Sequence, residues 1–357
     1  MKPKYVSIKN MLKIPWHFGI LLGQRSNGKS YAVKEHCLWE AFNDPDKHKF
    51  VYLRRWQIDV KGSDVEGYFR DAPVSAITSN KYSCITVYRG GIYFSNIGED
   101  GKIERGVQCG FVMYLSGETH YKSQSYLDVS SIIYEEFISN GGYLWREPEK
   151  LESLVSTIAR DREIRVWMIG NTISRLCPFF SEWSLDRIPT QKQSTIDVYE
   201  KDTGLTNSDG SPRTVRIAVY FCEQSVTGKM FFGASAGMIN KGTWQVREYP
   251  HLPCHYKDCK KLYSILYEYK DFCFKMELVE YNNDRMVFLH PHKKEPDYAG
   301  RIISDTPAAS KLVTDHLIPV LKGDILLIDA YNKGKIFYSD NLTGSDFEAI
   351  LKSKGAA

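Results

Sequence analysis

The chain has no hydrophobic run long enough to cross a bilayer, no CxxC pair, no internal repeat and no low-complexity tail. A bilayer span needs about 20 consecutive apolar residues, so no membrane partner is expected. The N-terminus lacks the charged-then-apolar pattern of a secretory signal, and eight scattered cysteines without paired spacing read as reduced thiols. These absences lead us to expect a soluble, intracellular protein of the cytoplasm. His251, Cys254, His255 and Cys259 include zinc-ligand types, but their spacing fits no standard site and Pro253 interrupts it, so an ordinary loop is the plainer reading. Excess charge is scarce too. Lys and Arg number 47 against 43 Asp and Glu, a net +4, so a nucleic-acid partner has to be met by a local patch. From residue 251 onward the chain is balanced at 15 of each sign, which leaves the basic surplus in the first 250 residues.

What is present points to nucleotide chemistry. Gly23-Gln24-Arg25-Ser26-Asn27-Gly28-Lys29-Ser30 reads G-x-x-x-x-G-K-S, directly after the apolar run at 18–22 and before a helix-forming stretch. That context predicts a P-loop, whose backbone N–H groups and helix N-terminus cradle the β- and γ-phosphates of ATP. Lys29 would reach the phosphates, and Ser30 would hold Mg2+. Arg25 has to point either at phosphate or out of the pocket. A chance match in a loop is the bland alternative.

At 357 residues the chain suits two cores better than one. Short apolar runs at 18–22, 50–53, 84–94, 111–115, 131–134 and 166–169 alternate with helical patterns, which predicts an α/β sheet. Leu151, Leu154, Val155 and Ile158 form one helical face behind Pro148. The polar stretch 201–213 has no periodicity and marks the clearest break. We therefore expect units at 1–206, 207–250 and 251–357, the middle one a small β-rich connector. In the last, strands are expected at 272–280, 286–290 and 325–328, and helices at 308–321 and 345–352.

Hydrolysis of a triphosphate needs a held metal, a polarised water and neutralisation of developing charge. Ser131-Ile132-Ile133-Tyr134-Glu135-Glu136 is an apolar strand ending in two carboxylates, Walker B in form. Glu135 would hold Mg2+ directly or through water and Glu136 would polarise the attacking water; two solvated acids at a strand end are the alternative. Asn171 follows the run at 165–170 as a γ-phosphate sensor would, or as a turn former would. Arg160 and Arg162 end a helix, where one could reach a neighbouring subunit's nucleotide or merely balance the helix dipole. Arg54, Arg55, Lys61 and Lys122 lie among Trp56, Tyr68, Tyr121 and Tyr126, a mixture suited to a nucleic-acid backbone. Each of them alone reads as solvated surface.

Taken together, the 23–30 loop with its internal Arg25, YLRRW at 52–56, SGETHYKS at 116–123, IIYEEF at 132–137 and IARDREIRVWMIGNT at 158–172 resemble the DNA-packaging ATPases of phi29-like bacteriophages. The similarity covers the first two hundred residues, and the remainder only by layout. It implies an α/β, ASCE-type P-loop ATPase domain with a mostly parallel sheet over 1–206 and a linker domain over 207–250. The α+β domain over 251–357 would then resemble an RNase H-like nuclease that has lost activity and serves in docking. The resemblance further implies a homo-oligomeric ring, a pentamer, that pumps double-stranded DNA into a prohead. Such a ring works in the host cytoplasm and transiently at the portal vertex, with a structural prohead RNA in close relatives.

Residue by residue, the resemblance makes Lys29 and Ser30 the P-loop lysine and hydroxyl and Glu136 the catalytic glutamate. Glu135 stands where the family has an aspartate. Arg160 or Arg162 takes the place of the trans-acting arginine, with Arg160 preferred, and Lys122 that of an interface lysine assisting hydrolysis or nucleotide exchange. Gln57 stands where relatives carry a basic DNA contact, leaving Lys61 as the weaker substitute. Glu277, Glu280, Asp305 and Asp329 are the C-terminal acids nearest strand-like runs, and nothing in their spacing demands two-metal chemistry.

Two other readings stay open: a terminase-like translocase whose C-terminal acids cut DNA with Mg2+ or Mn2+, and a P-loop binding module such as a switch GTPase. Against the second, Asp64-x-x-Gly67 has no strand to deliver it, and Asn332-Lys333-Gly334-Lys335 lacks the acid of a base-reading motif.

Overall fold

The computed structural model describes residues 5–139, 142–206, 209–224, 241–244, 246–294, 301–304, 317–319 and 331–353. The apolar runs of the first half become strands: β1 (Phe18–Gly23), β2 (Lys49–Arg54), β3 (Cys84–Tyr88), β4 (Gly91–Ile97), β5 (Ile103–Tyr114), β6 (Val129–Glu135) and β7 (Arg165–Asn171). With β8 (Thr195–Thr206) and β9 (Pro212–Phe221) they form a nine-stranded sheet in the order β3-β4-β5-β2-β6-β7-β1-β9-β8. From β5 through β9 the neighbours run parallel, while β3, β4 and β8 pair antiparallel at the two margins. This is the α/β, mostly parallel sheet expected. β7 stands between the P-loop strand β1 and the Walker B strand β6, the arrangement meant by ASCE.

Strands buried on both faces read as continuous apolar runs, and β1 is buried at every position. Its side chains alternate between two cores. Ile20 and Leu22 join Leu53, Ile132, Tyr134 and the apolar face of the helix Glu147–Ala159. Leu21 joins Phe50, Ile133 and Trp167 with Val33, Cys37 and Leu38 of the helix Lys29–Asn43. One crossover helix on each face thus fixes the carboxyl ends of the parallel strands along one edge, where α/β proteins bind ligands.

The sequence-based boundary after residue 206 needs correction. Most of the polar stretch 201–213 is strand of the antiparallel β8–β9 pair, with Lys201 opposite Val215 and Thr206 opposite Pro212, and β9 pairs in parallel with β1, Phe18 opposite Ile217 and Leu22 opposite Phe221. Residues 212–221 therefore belong to the first sheet and not to a connector. The exposed polar end of a strand pair and a polar linker look alike in composition; strand pairing tells them apart.

The second sheet contains β10 (Lys260–Tyr269), β11 (Phe272–Tyr281), β12 (Asp284–Pro291), β13 (Arg301–Ser304), β14 (Leu317–Pro319) and β15 (Ile336–Tyr338), in the order β14-β13-β10-β11-β12-β15. Its core is Tyr267, Phe274, Leu289 and Tyr338 against Phe347, Ile350 and Leu351 of the helix Asn341–Ser353. The expected strands at 272–280 and 286–290 and the expected helix at 345–352 fall on β11, β12 and this helix. β14 lies inside the stretch 308–321 expected as helix, where Leu317 and Ile318 pair with Ile302 and Ile303. The rest of that stretch and 325–328 lie outside the described residues.

Candidate nucleotide site

β1 ends at Gly23, and the helix Lys29–Asn43 begins at the P-loop lysine. Gly28, with φ 94°, is the helix N-cap and offers no capping side chain, so the first helical N–H groups remain available to an anion. A Cβ there would lie 3.0 Å from the Tyr5 side chain, which makes glycine the residue the turn requires. The Lys29 ammonium is buried and folds back on its own loop. It donates to the Gln24 carbonyl at 2.7 Å, to Asn27 Oδ1 at 3.3 Å and to Asn171 Oδ1 at 3.1 Å. Asn171 is opposite Gly23 in the β1–β7 register, which is why the residue at the tip of β7 reaches the P-loop lysine.

Glu135 and Glu136 close the same cavity, whose volume is about 850 Å³. Adjacent in sequence, the two carboxylates have opposite environments. Glu135 is buried, and desolvation pushes its carboxyl above its ordinary pKa, while hydrogen bonds from the Ser30 and Tyr68 hydroxyls and the Lys29 charge pull it down. The Tyr68 hydroxyl donates to Glu135 Oε1 at 2.7 Å. Glu136 has φ 56°, a left-handed backbone that costs a non-glycine residue of order 1–3 kcal/mol and turns its side chain out of the strand into the open cavity. Arg54, at the end of β2, donates from Nη2 to Glu136 Oε2 at 2.7 Å.

The strained tip of β6 is held by Arg55. Its guanidinium donates to the carbonyls of Glu136 at 3.3 Å and Phe137 at 2.6 Å, and makes a two-pronged pair with Glu147 at 2.7 and 3.0 Å. Glu147 is completely buried and also accepts from the Tyr134 hydroxyl at 2.6 Å and the Leu144 N–H at 2.8 Å. Sequence placed Arg54 and Arg55 among DNA contacts; the structure gives Arg54 a second setting and corrects Arg55. Arg54 lines the nucleotide cavity, and Arg55 is 6% exposed, leaving it no surface to offer a duplex. We expect Arg55→Ala to lower unfolding stability by about 3–5 kcal/mol, because it strands a buried carboxylate, and Arg55→Lys to rescue it poorly, since a point charge cannot make the fork. Denaturant unfolding checks this, and a variant as stable as wild type would return Arg55 to the surface-contact class.

Arg162 is corrected as well. Its guanidinium donates to the carbonyls of Val129 at 2.7 Å, Tyr126 at 2.8 Å and Ile158 at 2.9 Å, binding the loop before β6 to its crossover helix. A side chain committed to three carbonyls of its own chain is not presented to a neighbour. Arg160 is exposed and reaches only the Gln124 carbonyl at 3.4 Å. Arg160, Lys122 and Lys61 are all exposed, and none lines the nucleotide cavity. Arg25 and Ser26 are exposed at its mouth. Sequence reasoning missed the pairings of Tyr68 with Glu135, Arg54 with Glu136 and Arg55 with Glu147, which are 67, 82 and 92 residues apart; no local pattern announces them.

In the second domain, Glu277 is buried under the Tyr256 hydroxyl with His290 Nε2 3.4 Å away, and Glu280 meets Arg285 at 3.1 Å. Asp305 and Asp329 lie outside the described residues. His251 has both ring nitrogens engaged, with the Tyr338 carbonyl at 2.9 Å and Asn341 Oδ1 at 3.0 Å. Among the described residues no three His, Cys, Asp or Glu side chains are grouped to hold a metal.

The chain matches known proteins in its first half by sequence and over nearly its whole length by fold. It is 28% identical over 185 residues to a DNA packaging protein of Bacillus phage B103, covering 49% of this chain and 50% of that relative. It is 27% identical over 188 residues to the DNA packaging protein of Bacillus phage phi29, covering 52% and 51%. The chain thus spans about half the length of the curated relatives it matches. Among solved structures, the phi-29 viral genome packaging motor assembly aligns over 98% of this chain and 99% of that one, with a TM-score of 0.54 at 20% identity. The Phi-28 gp11 DNA packaging motor aligns over 97% of each, with a TM-score of 0.52 at 14% identity; at such identities these two likenesses speak to fold alone. The family profile of the podovirus DNA encapsidation protein (Gp16) matches residues 2–203, more than half of the sequence, and the chain belongs to that family.

Proposed function

We propose that this chain is an ATPase that drives double-stranded DNA into a viral prohead. The observation that carries the reading is one cavity in which the P-loop, Lys29 and Asn171 face the paired carboxylates of β6. Loop N–H groups and Lys29 bind the phosphates of ATP. Ser30 and Glu135 offer adjacent oxygen ligands of the hard type that Mg2+ takes, and they are the residues that would hold it; when bound it would supply positive charge against the phosphate oxygens. Glu136, once it leaves Arg54, orients the attacking water and accepts its proton. Asn171 holds Lys29 before nucleotide enters and the γ-phosphate afterwards.

The proposal extends to a homopentameric ring in the host cytoplasm, docked on the portal of the prohead and, as in close relatives, on a structural RNA. Packaging motor assemblies among the structural likenesses support it. Arg160 is our choice of trans-acting arginine. It shares a surface with Lys122, two residues from the Gln124 carbonyl that Arg160 touches, so both basic groups could meet one neighbouring subunit. Mixing Glu136→Gln subunits with Arg160→Ala subunits is expected to restore turnover through the wild-type pairing of the two halves, and mixtures no more active than their components would remove the trans role.

We divide the chain into an ATPase unit reaching the end of β9, a short linker, and a docking domain from about residue 251. The order β14-β13-β10-β11-β12, an antiparallel meander with two strands added in parallel on its first member, supports an RNase H-like reading of the last. The ion pairs of Glu277 and Glu280 favour docking over cutting. Plasmid cleavage with Mg2+ or Mn2+ would instead favour the terminase-like alternative. The central test is ATP turnover with DNA, with and without proheads: stimulation by both is expected, and a chain without affinity for adenine nucleotides would end the reading.

A further inference from the structure

We propose that Arg89, Arg105 and Lys61 form a cradle for the phosphate backbone of the duplex, at the tip of the β3–β4 hairpin. The inference rests on the packaging reading and names where the DNA is gripped. Tyr88 and Gly91 close a two-residue turn in which Arg89 has φ 47° and Gly90 φ 80°, the sign pattern of a type I′ turn. The first position of such a turn favours Asn, Asp or Gly, and a long side chain there is strained. An outlier of this kind is a reason to ask what the side chain does.

Its neighbours answer in one chemical language. The Arg89 guanidinium lies 5.2 Å from the Tyr88 ring centroid, and that of Arg105, on β5, lies 4.3 Å from the same ring. Tyr88 is 43% exposed, and both arginines are exposed. Arg89 also borders a shallow surface cavity of about 680 Å³ with Lys61, Gln57 and Tyr114. Among the described residues, none of the three cations has a carboxylate at ion-pair distance. Glu66, an acid beside the hairpin, accepts from the Val87 N–H at 2.8 Å. Unpaired guanidinium forks pre-oriented on a tyrosine face suit phosphate, and a spread of three suits a repeated phosphate more than a single nucleotide.

Position selects the duplex among polyanions. β3 runs in the same direction as β5 and β2 through the antiparallel β4, so the turn lies on the sheet edge that carries the P-loop. The Gly90 carbonyl accepts from the Val112 N–H at 2.8 Å, tying the tip to β5. The loop after β2 connects this surface to Arg54 and hence to Glu136. A translocated strand belongs beside the engine, whereas a docking RNA has no need of it.

The test measures binding of short duplexes of unrelated sequence by the full chain with Mg2+ and a slowly hydrolysed ATP analogue, across a salt series. The triple variant Lys61→Ala, Arg89→Asn, Arg105→Ala is expected to bind roughly tenfold or more weakly. Its plot of log affinity against log salt should flatten by about two to three units, with affinity for the ATP analogue kept. Arg89→Asn alone should leave the melting temperature unchanged or raised, because Asn-Gly is the preferred type I′ pair, while DNA affinity falls. A merely structural arginine would move both downward, and that result overturns the proposal. So does a triple variant with wild-type affinity and slope, or one that loses only a folded RNA. A wild-type chain that binds no duplex at all would instead remove the packaging reading itself.

Discussion

Lys29→Ala is expected to abolish ATP turnover and to weaken nucleotide binding while leaving the fold in place. The buried ammonium donates to neutral acceptors, Gln24 O, Asn27 Oδ1 and Asn171 Oδ1 among them. Such contacts hold the side chain in the cavity. An incoming triphosphate exchanges them for charge-assisted bonds, which are about twice as strong as neutral ones, and the exchange is larger still as charge develops in transfer. Loss of one such donor costs a factor of about 10² to 10³ in catalysis, and here the lost donor carries a full charge. Removing it from the folded chain deletes hydrogen bonds around a loop whose residues Arg25 and Ser26 are already exposed, so the melting temperature should move little by comparison. Turnover within roughly tenfold of wild type would remove Lys29 from the machinery; a collapse of both turnover and melting would make its role one of loop stability.

How far the sequence reaches is decided by the range of the contact. That 25–30, Glu135, Glu136 and Asn171 would line one cavity was legible because each sits at the end of a local apolar run, and parallel strands must deliver their carboxyl ends to one edge. The family resemblance in 52–56, 116–123 and 158–172 added candidates at the right elements without saying which way a side chain turns. Arg54 and Arg55 make the point. Arg54 ends β2 and Arg55 opens the loop after it, so the two side chains turn to different partners, yet composition treats them as one basic patch. One meets Glu136 and the other Glu147, and only the fold of β6 against β2 brings those acids near.

The C-terminal half was read less well for a related reason. β10 begins with two lysines, and its first four residues are exposed, so it lacks the clean in-and-out alternation that marks a strand. The boundary at 206 failed on the hairpin β8–β9, whose outer residues are exposed at the very edge of the sheet. Edge strands carry polar residues to discourage further pairing, and in composition that protection is indistinguishable from a linker.

Glu136→Gln should separate binding from chemistry. The amide keeps the size and the hydrogen-bonding reach of the carboxylate but cannot accept a proton, and general-base contributions are typically 10²- to 10⁴-fold. Hydrolysis should therefore fall by about three orders of magnitude, with affinity for ATP retained. A structural explanation of the residue predicts something else. Its pair with Arg54 has a carboxylate side chain 57% exposed, and exposed pairs contribute about 1 kcal/mol at most. The amide oxygen can still accept from Arg54, so melting should be unchanged within error. Glu135→Gln gives the contrast: that carboxylate is buried beneath Tyr68 and Ser30, and its loss should weaken Mg2+-dependent binding rather than the chemical step alone. Equal binding and equal turnover in the Glu136 variant would leave Glu135 as the functional carboxylate of β6, and the left-handed turn that presents Glu136 would then have no catalytic purpose.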